Sequence, residues 1–447
     1  MTLLETFAAY GADDARRELP PEALHHAKRA VLDWFSALYP GTRVAPGVQL
    51  VSAHRAELGV GHSTVLGHGA TAFAATAAWI NGSASHAVEF DDIFRDAVYH
   101  PGCPIIAAAL AVAQDIDASG RAFLRAVVVG YEISTRIGAA MQPAHYRYFH
   151  TTGTVGCLGA AAAAAALLAP GDRSVMQHAL STSATFASGL QQAFRSDAMT
   201  KALHAGHAAE VGVRAAQAAR AGVTGVADIL EGAAGLGAAM ADSPDWTGVT
   251  DGLGASYNIT RITQKNHGCC GHTFAAIDAA LAMRRAQGFG PDEIEAVEVE
   301  TYQTALDVTG NFQPSSAFEC KFSLPYVVAH ALKHGSVRLA AFDELAMHDE
   351  ATRHLMTRIS LREDAALTAS FPGQRAARVR IRLADGREFE HFSPFRRGDP
   401  ESPLSDAELD AKFEELVMPV LGQADTAALR ERIWSLDRLD GVRRLAD

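Results

Sequence analysis

The run Leu158–Ala169, LGAAAAAAALLA, decides what kind of fold this chain adopts. It is almost wholly alanine and leucine, ends at Pro170 and is far shorter than the ~20 residues that a bilayer crossing needs. A helix with no polar face must be covered by others, so the run predicts a buried helix inside a helical domain. The same small-residue texture recurs at Ala70–Ile80, Ile105–Ala113 and Ala208–Ala221 and predicts further closely packed helices. Upstream, PEALHHAKRAVLDWFSALYPG at 21–41 places Ala27, Val31, Trp34, Phe35 and Leu38 on one face. Pro21 suits a first helical position and Pro40-Gly41 a stop, so this segment is an amphipathic helix.

The texture changes after about Cys270. Residues Ile294–Thr301 (IEAVEVET) alternate, with Val297, Val299 and Thr301 on one side and Glu298 and Glu300 on the other, as in a half-solvated strand. Arg378–Leu383 alternates in the same way, meets Asp385-Gly386 and resumes over Arg387–His391, which predicts a hairpin with a two-residue turn. Helix returns at Ser405, where Glu408 completes a capping box ahead of Phe413, Leu416, Val417 and Val420. The expected fold is mainly α: an all-helical domain over 1–267, a smaller α+β domain over 268–400, and C-terminal helices over 401–447 that rejoin the first. At 447 residues the chain exceeds the size of a single core, which favours two domains.

Charged residues make up 20% of the chain and the net charge is −12, so nucleic-acid binding lacks its electrostatic footprint. An anionic ligand must then be held by a local cluster of cations. Five cysteines at irregular spacing, and an opening MTLLETFAAYGADDARRELP without the apolar core of a secretory signal, point to a reducing cytoplasm, and no membrane span is expected.

Four clusters combine titratable residues with small neighbours. NGSASHAVEFDDIFRDAVYHPGCP carries His86, Glu89, Asp91, Asp92, Asp96, Tyr99 and His100, the last at a Pro-Gly turn where catalytic residues often sit. Its acids can equally cap helices. His145–Gly153 (HYRYFHTTG) opens the alanine-rich helix, where Tyr148 and His150 can exchange protons and Thr151 or Thr152 can serve as N-cap. Lys201–His207 (KALHAGH) sets a lone cation at the head of a helix of small residues, either at the surface or facing a cavity. Lys265–His272 (KNHGCCGH) stands at the domain junction, where small-ligand clefts are favoured.

Metal ligation is weighed at His267, Cys269, Cys270 and His272, and at His204, His207 and Glu210. Neither set has a zinc spacing, so no metal is expected. Gly232–Gly237 (GAAGLG) lacks the strand-first context of a dinucleotide fingerprint, and no Walker motif occurs, so neither NAD nor ATP is expected.

The clusters, in order with GYE at 130–132, ILEG at 229–232 and FSLPY at 322–326, resemble the MmgE/PrpD family over most of the chain. The resemblance implies a large helical domain, a smaller α+β domain, a homodimer, a site in the cleft between domains and no cofactor. By motif it assigns catalytic roles to His100, His150, Lys201 and His272 and a place at the site to Tyr326. The residue types add Tyr148 as a catalytic group and Glu89, Asp91, Asp92 and Lys265 for substrate binding. Where family members read Asp-Phe-Asp-Asp-Thr, this chain has Glu89-Phe-Asp-Asp-Ile93: one carboxylate is lengthened and a hydroxyl becomes an alkyl group.

A proton α to a carboxylate is weakly acidic, so its removal needs a positioned base and fixed positive charge. His150 or Tyr148 can be the base, Lys201, Lys265 and His100 the charge, and His272 a proton donor. The small polycarboxylate so activated can lose hydroxide, be reprotonated on the other face, or lose carbon dioxide. Dehydration of a 2-methylcitrate-like acid leads this reading, followed by iminodisuccinate-type epimerisation and cis-aconitate decarboxylation. A catalytically silent binding protein is the alternative of another class.

Overall fold

Pro21 and Pro40-Gly41 bracket a helix as the sequence predicts, because Pro21 gives up no needed N–H at a first helical position. The computed structural model describes residues 1–14, 16–194, 198–371 and 373–446. It divides into two compact units, Met1–Thr263 with Ser405–Asp447, and Gln264–Leu404.

In the first unit the longer helices are α1 (Leu3–Asp14), α2 (Pro21–Gly41), α3 (Ala74–Ser85) and α4 (Gly102–Ile116). They continue with α5 (Gly120–Ala140), α6 (Thr151–Leu168), α7 (Arg173–Thr185) and α8 (Thr200–Arg220). The alanine-rich α6 is covered by α4, α5, α7 and α8. Among the described residues it is the one helix long and apolar enough to cross a membrane, and 94% of it is buried inside the protein. Small residues allow this closeness: a Cβ on Gly130 of α5 would stand 2.7 Å from the Gly159 carbonyl oxygen of α6.

The first unit is not wholly helical. Ala70–Ala72, expected to be helix, is strand β2 and pairs antiparallel with β1 (Ser63–Val65). Asn81 of α3 ties the ribbon down, accepting from Leu66 N and donating to Thr64 O. Three alanines and threonines that continue a helical pattern thus meet a partner strand, and tertiary pairing overrides local preference.

The second unit carries a four-stranded sheet in the order β4-β3-β5-β6, with β3 Ile294–Thr301, β4 Ile359–Glu363, β5 Ala377–Leu383 and β6 Glu388–Ser393. β4 runs parallel to β3, whereas β5 is antiparallel to both β3 and β6. Val297, Val299, Val379 and Ile381 face a core shared with Ile277 and Leu281 of α9 (Phe274–Gln287) and Val327 and Val328 of α10 (Leu324–His334). Glu300, on the other side of β3, is braced by Arg362, Arg378 and Arg380. The hairpin turn is longer than expected: Leu383 N bonds Arg387 O, leaving Ala384, Asp385 and Gly386 in the loop, with Gly386 at φ +88°. A left-handed third position closes such a loop, and glycine adopts it without strain.

Back in the first unit, the Ser405–Glu408 capping box forms and starts α11 (Asp406–Leu421), which packs on α2. One more helix, α12 (Gln423–Trp434), follows.

Candidate active site

The loop leaving α3 is held in a costly conformation. Glu89 has φ +61° and Val98 φ +47°, and a non-glycine residue there costs on the order of 1–3 kcal/mol. Three ties hold the loop down. Ile93 exchanges backbone bonds with Thr263, Phe94 does so with Tyr99, and Lys412 of α11 reaches the Phe90 carbonyl at 3.1 Å. The buried Lys412 ammonium also pairs with Asp33 of α2 at 2.6 Å. What this bracing places is a set of imidazoles.

Asp91 is buried, and its Oδ2 accepts from His86 Nδ1 at 2.7 Å, from His100 Nδ1 at 2.9 Å and from the Cys103 thiol at 3.2 Å. His100 Nδ1 also meets the Asp92 carbonyl at 2.8 Å, and its backbone N–H bonds Thr152 in the first turn of α6. Both partners of His100 Nδ1 are acceptors, so that nitrogen carries the proton and Nε2 presents a lone pair.

His150 is the N-cap residue of α6, with Thr151 and Thr152 inside the helix rather than capping it. Its ring stacks on His86 at 5.5 Å and lies 6.3 Å from His100. On its far side His150 Nδ1 meets His204 Nδ1 at 3.0 Å, so one ring must donate and the other accept. A Cβ on Gly153 would fall 2.4 Å from the Ser188 carbonyl oxygen, so only glycine lets the start of α6 come this near the 188–189 segment beneath His204. Lys201, one turn before His204 on α8, forms an ion pair with Glu89. The result is a row of four rings, His100, His86, His150 and His204, beside a lysine–glutamate pair.

Burial sets the protonation of this row. Desolvation first, then the charges of His86, Lys201, His100 and His204, hold His150 well below the usual imidazole range. Burial likewise pushes His204 down to about 4. Both rings are therefore neutral at pH 7. Asp92 is pushed up to about 7 by burial.

Several expected residues take other roles. Asp92 is a brace, its carboxylate accepting from Gly102 N at the start of α4 and from the Tyr131 hydroxyl at 2.7 Å. These bonds match the helix-capping alternative weighed beside its expected role in substrate binding, and they give the Tyr of GYE a partner. Glu132 of the same motif binds Arg136 and Asn258 N. Tyr148 is 57% exposed with the Arg147 guanidinium 5.0 Å from its ring, and so lies outside the buried row. In the second unit Tyr326 is fully buried, its hydroxyl donating to the Ala341 carbonyl. It packs in the core of that unit with no exposed surface, whereas the expectation was a place at the site. Lys265 is buried in that unit as well.

His272 sits in a distinct group of the second unit. Its Nδ1 is 2.6 Å from the Tyr302 hydroxyl. Tyr302 is buried, and burial raises its phenol above the ordinary range, so it keeps its proton. A buried phenol with this single partner donates to it, which leaves the His272 proton on Nε2. Burial and the charges of Arg375 and Arg396 push His272 down to about 3, so the ring is a neutral N–H donor.

The groups weighed as metal ligands are engaged elsewhere: His267 with Asp278, Cys269 with Thr273, His207 with Ser188 and Glu210 with Arg214. His86, Asp91 and Cys103 do bring three donor atoms within 4.8 Å of one another. Their spacings are those of hydrogen bonds to one carboxylate oxygen, and burial raises the Cys103 thiol well above its usual value.

His86 and His204 complete the row, yet sequence reading passes over them as partners. The one available signal is the spacing of Lys201 and His204, three apart on one helix face.

Residues 5–248 match the MmgE/PrpD N-terminal domain and residues 267–438 the MmgE/PrpD C-terminal domain. The chain is 27% identical over 448 residues to the cis-aconitate decarboxylase-like protein oryM of Aspergillus oryzae, covering 94% of this chain and 91% of that protein. It is 27% identical over 435 residues to cis-aconitate decarboxylase of Homo sapiens, with 94% and 89% covered. Against cis-aconitate decarboxylase of Aspergillus terreus the identity is 24% over 454 residues, with 96% and 92% covered.

Proposed function

Because the chain belongs to the MmgE/PrpD family, we propose that it is a lyase that transfers a proton at a carbon next to a carboxylate of a small polycarboxylic acid. The observation that carries this reading is the row of imidazoles, buried at His86 and His150, beside Lys201 and Glu89.

An enzyme that makes or quenches a carbanion next to a carboxylate needs neutral proton carriers and a fixed cation for the developing enediolate. His100 and His150 are the proton carriers in this reading, His100 through the lone pair on Nε2. Asp91 fixes the tautomers of His86 and His100, and His204 orients His150. Lys201 supplies the cation once a substrate carboxylate competes with Glu89 for it.

The depressed histidines also speak to the substrate. An imidazole held far below 7 is a poor base, and anionic groups arriving beside it raise its pKa toward the working range. A di- or tricarboxylate therefore activates the row by binding to it.

The curated relatives are named for cis-aconitate, which moves decarboxylation of a cis-aconitate-like acid ahead of dehydration and epimerisation for this chain. The longer Glu89 side chain and Ile93 bear on which acid is taken. Proton NMR with cis-aconitate, 2-methylcitrate, citrate and iminodisuccinate tests this. A methylene product from cis-aconitate supports the decarboxylase, and a vinyl product from a hydroxy acid supports a dehydratase. Inversion without elimination identifies an epimerase. Tight binding with no turnover of any of the four overturns the catalytic reading in favour of a binding protein.

A further inference from the structure

In the second unit one cation stands out. Arg375 makes no hydrogen bond or ion pair among the described residues, and its Nε is buried without a partner. The guanidinium lies 5.7 Å from the centre of the Phe371 ring, which stacks on Tyr302 at 4.8 Å and 14°. Tyr302 in turn holds His272. The other arginine near His272 is neutralised: Arg396 binds both oxygens of Asp399, at 2.9 and 2.7 Å.

A partly enclosed guanidinium whose Nε is shut off from water and which has no ion-pair partner among the described residues is costly, and such groups cluster where a ligand supplies the charge. Its planar fork matches a carboxylate, and an aromatic shelf fixes the plane in advance. On the same shelf stands a neutral imidazole, the His272 ring 6.0 Å from that of Phe371, with its proton on Nε2, a second donor for an anion.

We propose that Arg375 and His272 form a carboxylate-binding subsite on the aromatic shelf of Phe371 and Tyr302, which takes one carboxylate of a polycarboxylic acid. The proposal rests on the reading of the substrate as a polycarboxylate. It makes Arg375 selective among acids: one with a carboxylate to spare is held, and one lacking it leaves the guanidinium unpaired. Electrostatics give the subsite a signature of its own. Arg375 now depresses His272, so an anion seated on the guanidinium raises the imidazole pKa, and so does removal of the guanidinium.

The test uses the full chain, its Arg375→Met and Arg375→Lys variants, and tricarballylate, a tricarboxylate without the double bond or hydroxyl that the reactions require. Affinity is read by calorimetry, and the His272 ring by ¹⁵N NMR across pH, assigned with His272→Gln. Wild type is expected to bind tricarballylate with a rise in the His272 pKa. Arg375→Met should bind at least tenfold more weakly and show a His272 pKa that is already raised and no longer responds to ligand. Arg375→Lys, which keeps the charge without the fork, should fall between the two. Equal affinity in all three proteins with an unmoved His272 signal overturns the subsite and leaves the polycarboxylate reading intact. If wild type binds no tricarballylate, that reading fails, and inorganic phosphate decides the subsite alone. A His272 response to phosphate in wild type that Arg375→Met abolishes supports it, and no response in wild type overturns it.

Discussion

Replacing Lys412 with Met tests whether the C-terminal segment holds the site loop. The Lys412 side chain is wholly buried, its ammonium bonded to Asp33 at 2.6 Å and to the Phe90 carbonyl at 3.1 Å, with the Phe90 ring 4.6 Å away. Asp33 is buried too, its Oδ2 has no partner, and burial raises its pKa against the pull of Lys412. Each charge-assisted bond contributes about 1.5–3 kcal/mol, which agrees with the ~3–5 kcal/mol lost when one member of a buried pair is removed. Lys412→Met should therefore cost about 3–5 kcal/mol. In the double variant Asp33→Leu/Lys412→Met no charge is stranded, and the remaining loss is the Phe90 bond, about 1 kcal/mol. All four tryptophans, Trp34, Trp79, Trp246 and Trp434, lie in the first unit, so fluorescence during urea unfolding reports that unit. Activity adds a separate readout: the double variant regains stability but not turnover, because Phe90, between Glu89 and Asp91, has still lost its tether. A single-variant cost below about 1 kcal/mol, or a double-variant loss equal to the sum of the singles, refutes this reasoning.

Two further outcomes follow from the row of rings. Lys201→Met should lower kcat/KM by about 10²-fold or more while shifting the unfolding midpoint little, since both partners of its ion pair are partly exposed; a rate within threefold of wild type counts against Lys201 as the stabilising cation. His204 sits at about 4 in the fold against about 6.5 when unfolded. The unfolded chain therefore takes up a proton that the fold refuses, and the stability His204 contributes above pH 6.5 is lost as pH falls toward 4. His204→Gln should accordingly lose less stability than wild type between pH 7 and 4.5 in the fluorescence assay, and parallel losses would show that His204 is not neutral in the fold.

Much of the fold was legible because its signals are local. Pro21, Pro40-Gly41 and the Ser405–Glu408 box mark their helix ends through backbone geometry, and Ile294–Thr301 alternates strictly. What escaped depends on partners distant in sequence. Ala70–Ala72 becomes a strand because Ser63–Val65 is there to pair with it, and β4 borders β3 although Ile359–Glu363 alternates weakly. The site divides in the same way. His100, His150 and Lys201 stand in recognisable clusters, and the structure brings the first two into one row with the third beside it. Asp92 and Tyr326 show the opposite: a carboxylate in a dense acidic run is used as a helix cap, and a tyrosine in a motif is used for packing. Residue type alone does not separate these uses, since each depends on which groups the fold supplies as partners. Lys412 and Arg375 belong to no cluster, and only folding brings the one to Asp33 and strands the other beside His272.

The most direct test of the central claim is proton NMR in deuterated water on wild type and His150→Gln, with cis-aconitate and the related acids as substrates. The account predicts that wild type introduces deuterium at the carbon next to a carboxylate, and that the folded variant does so at least a hundredfold more slowly. Deuterium incorporation at the same rate in the variant, or decarboxylation of cis-aconitate by wild type with no solvent-derived deuterium in the product, would contradict proton transfer by the imidazole row.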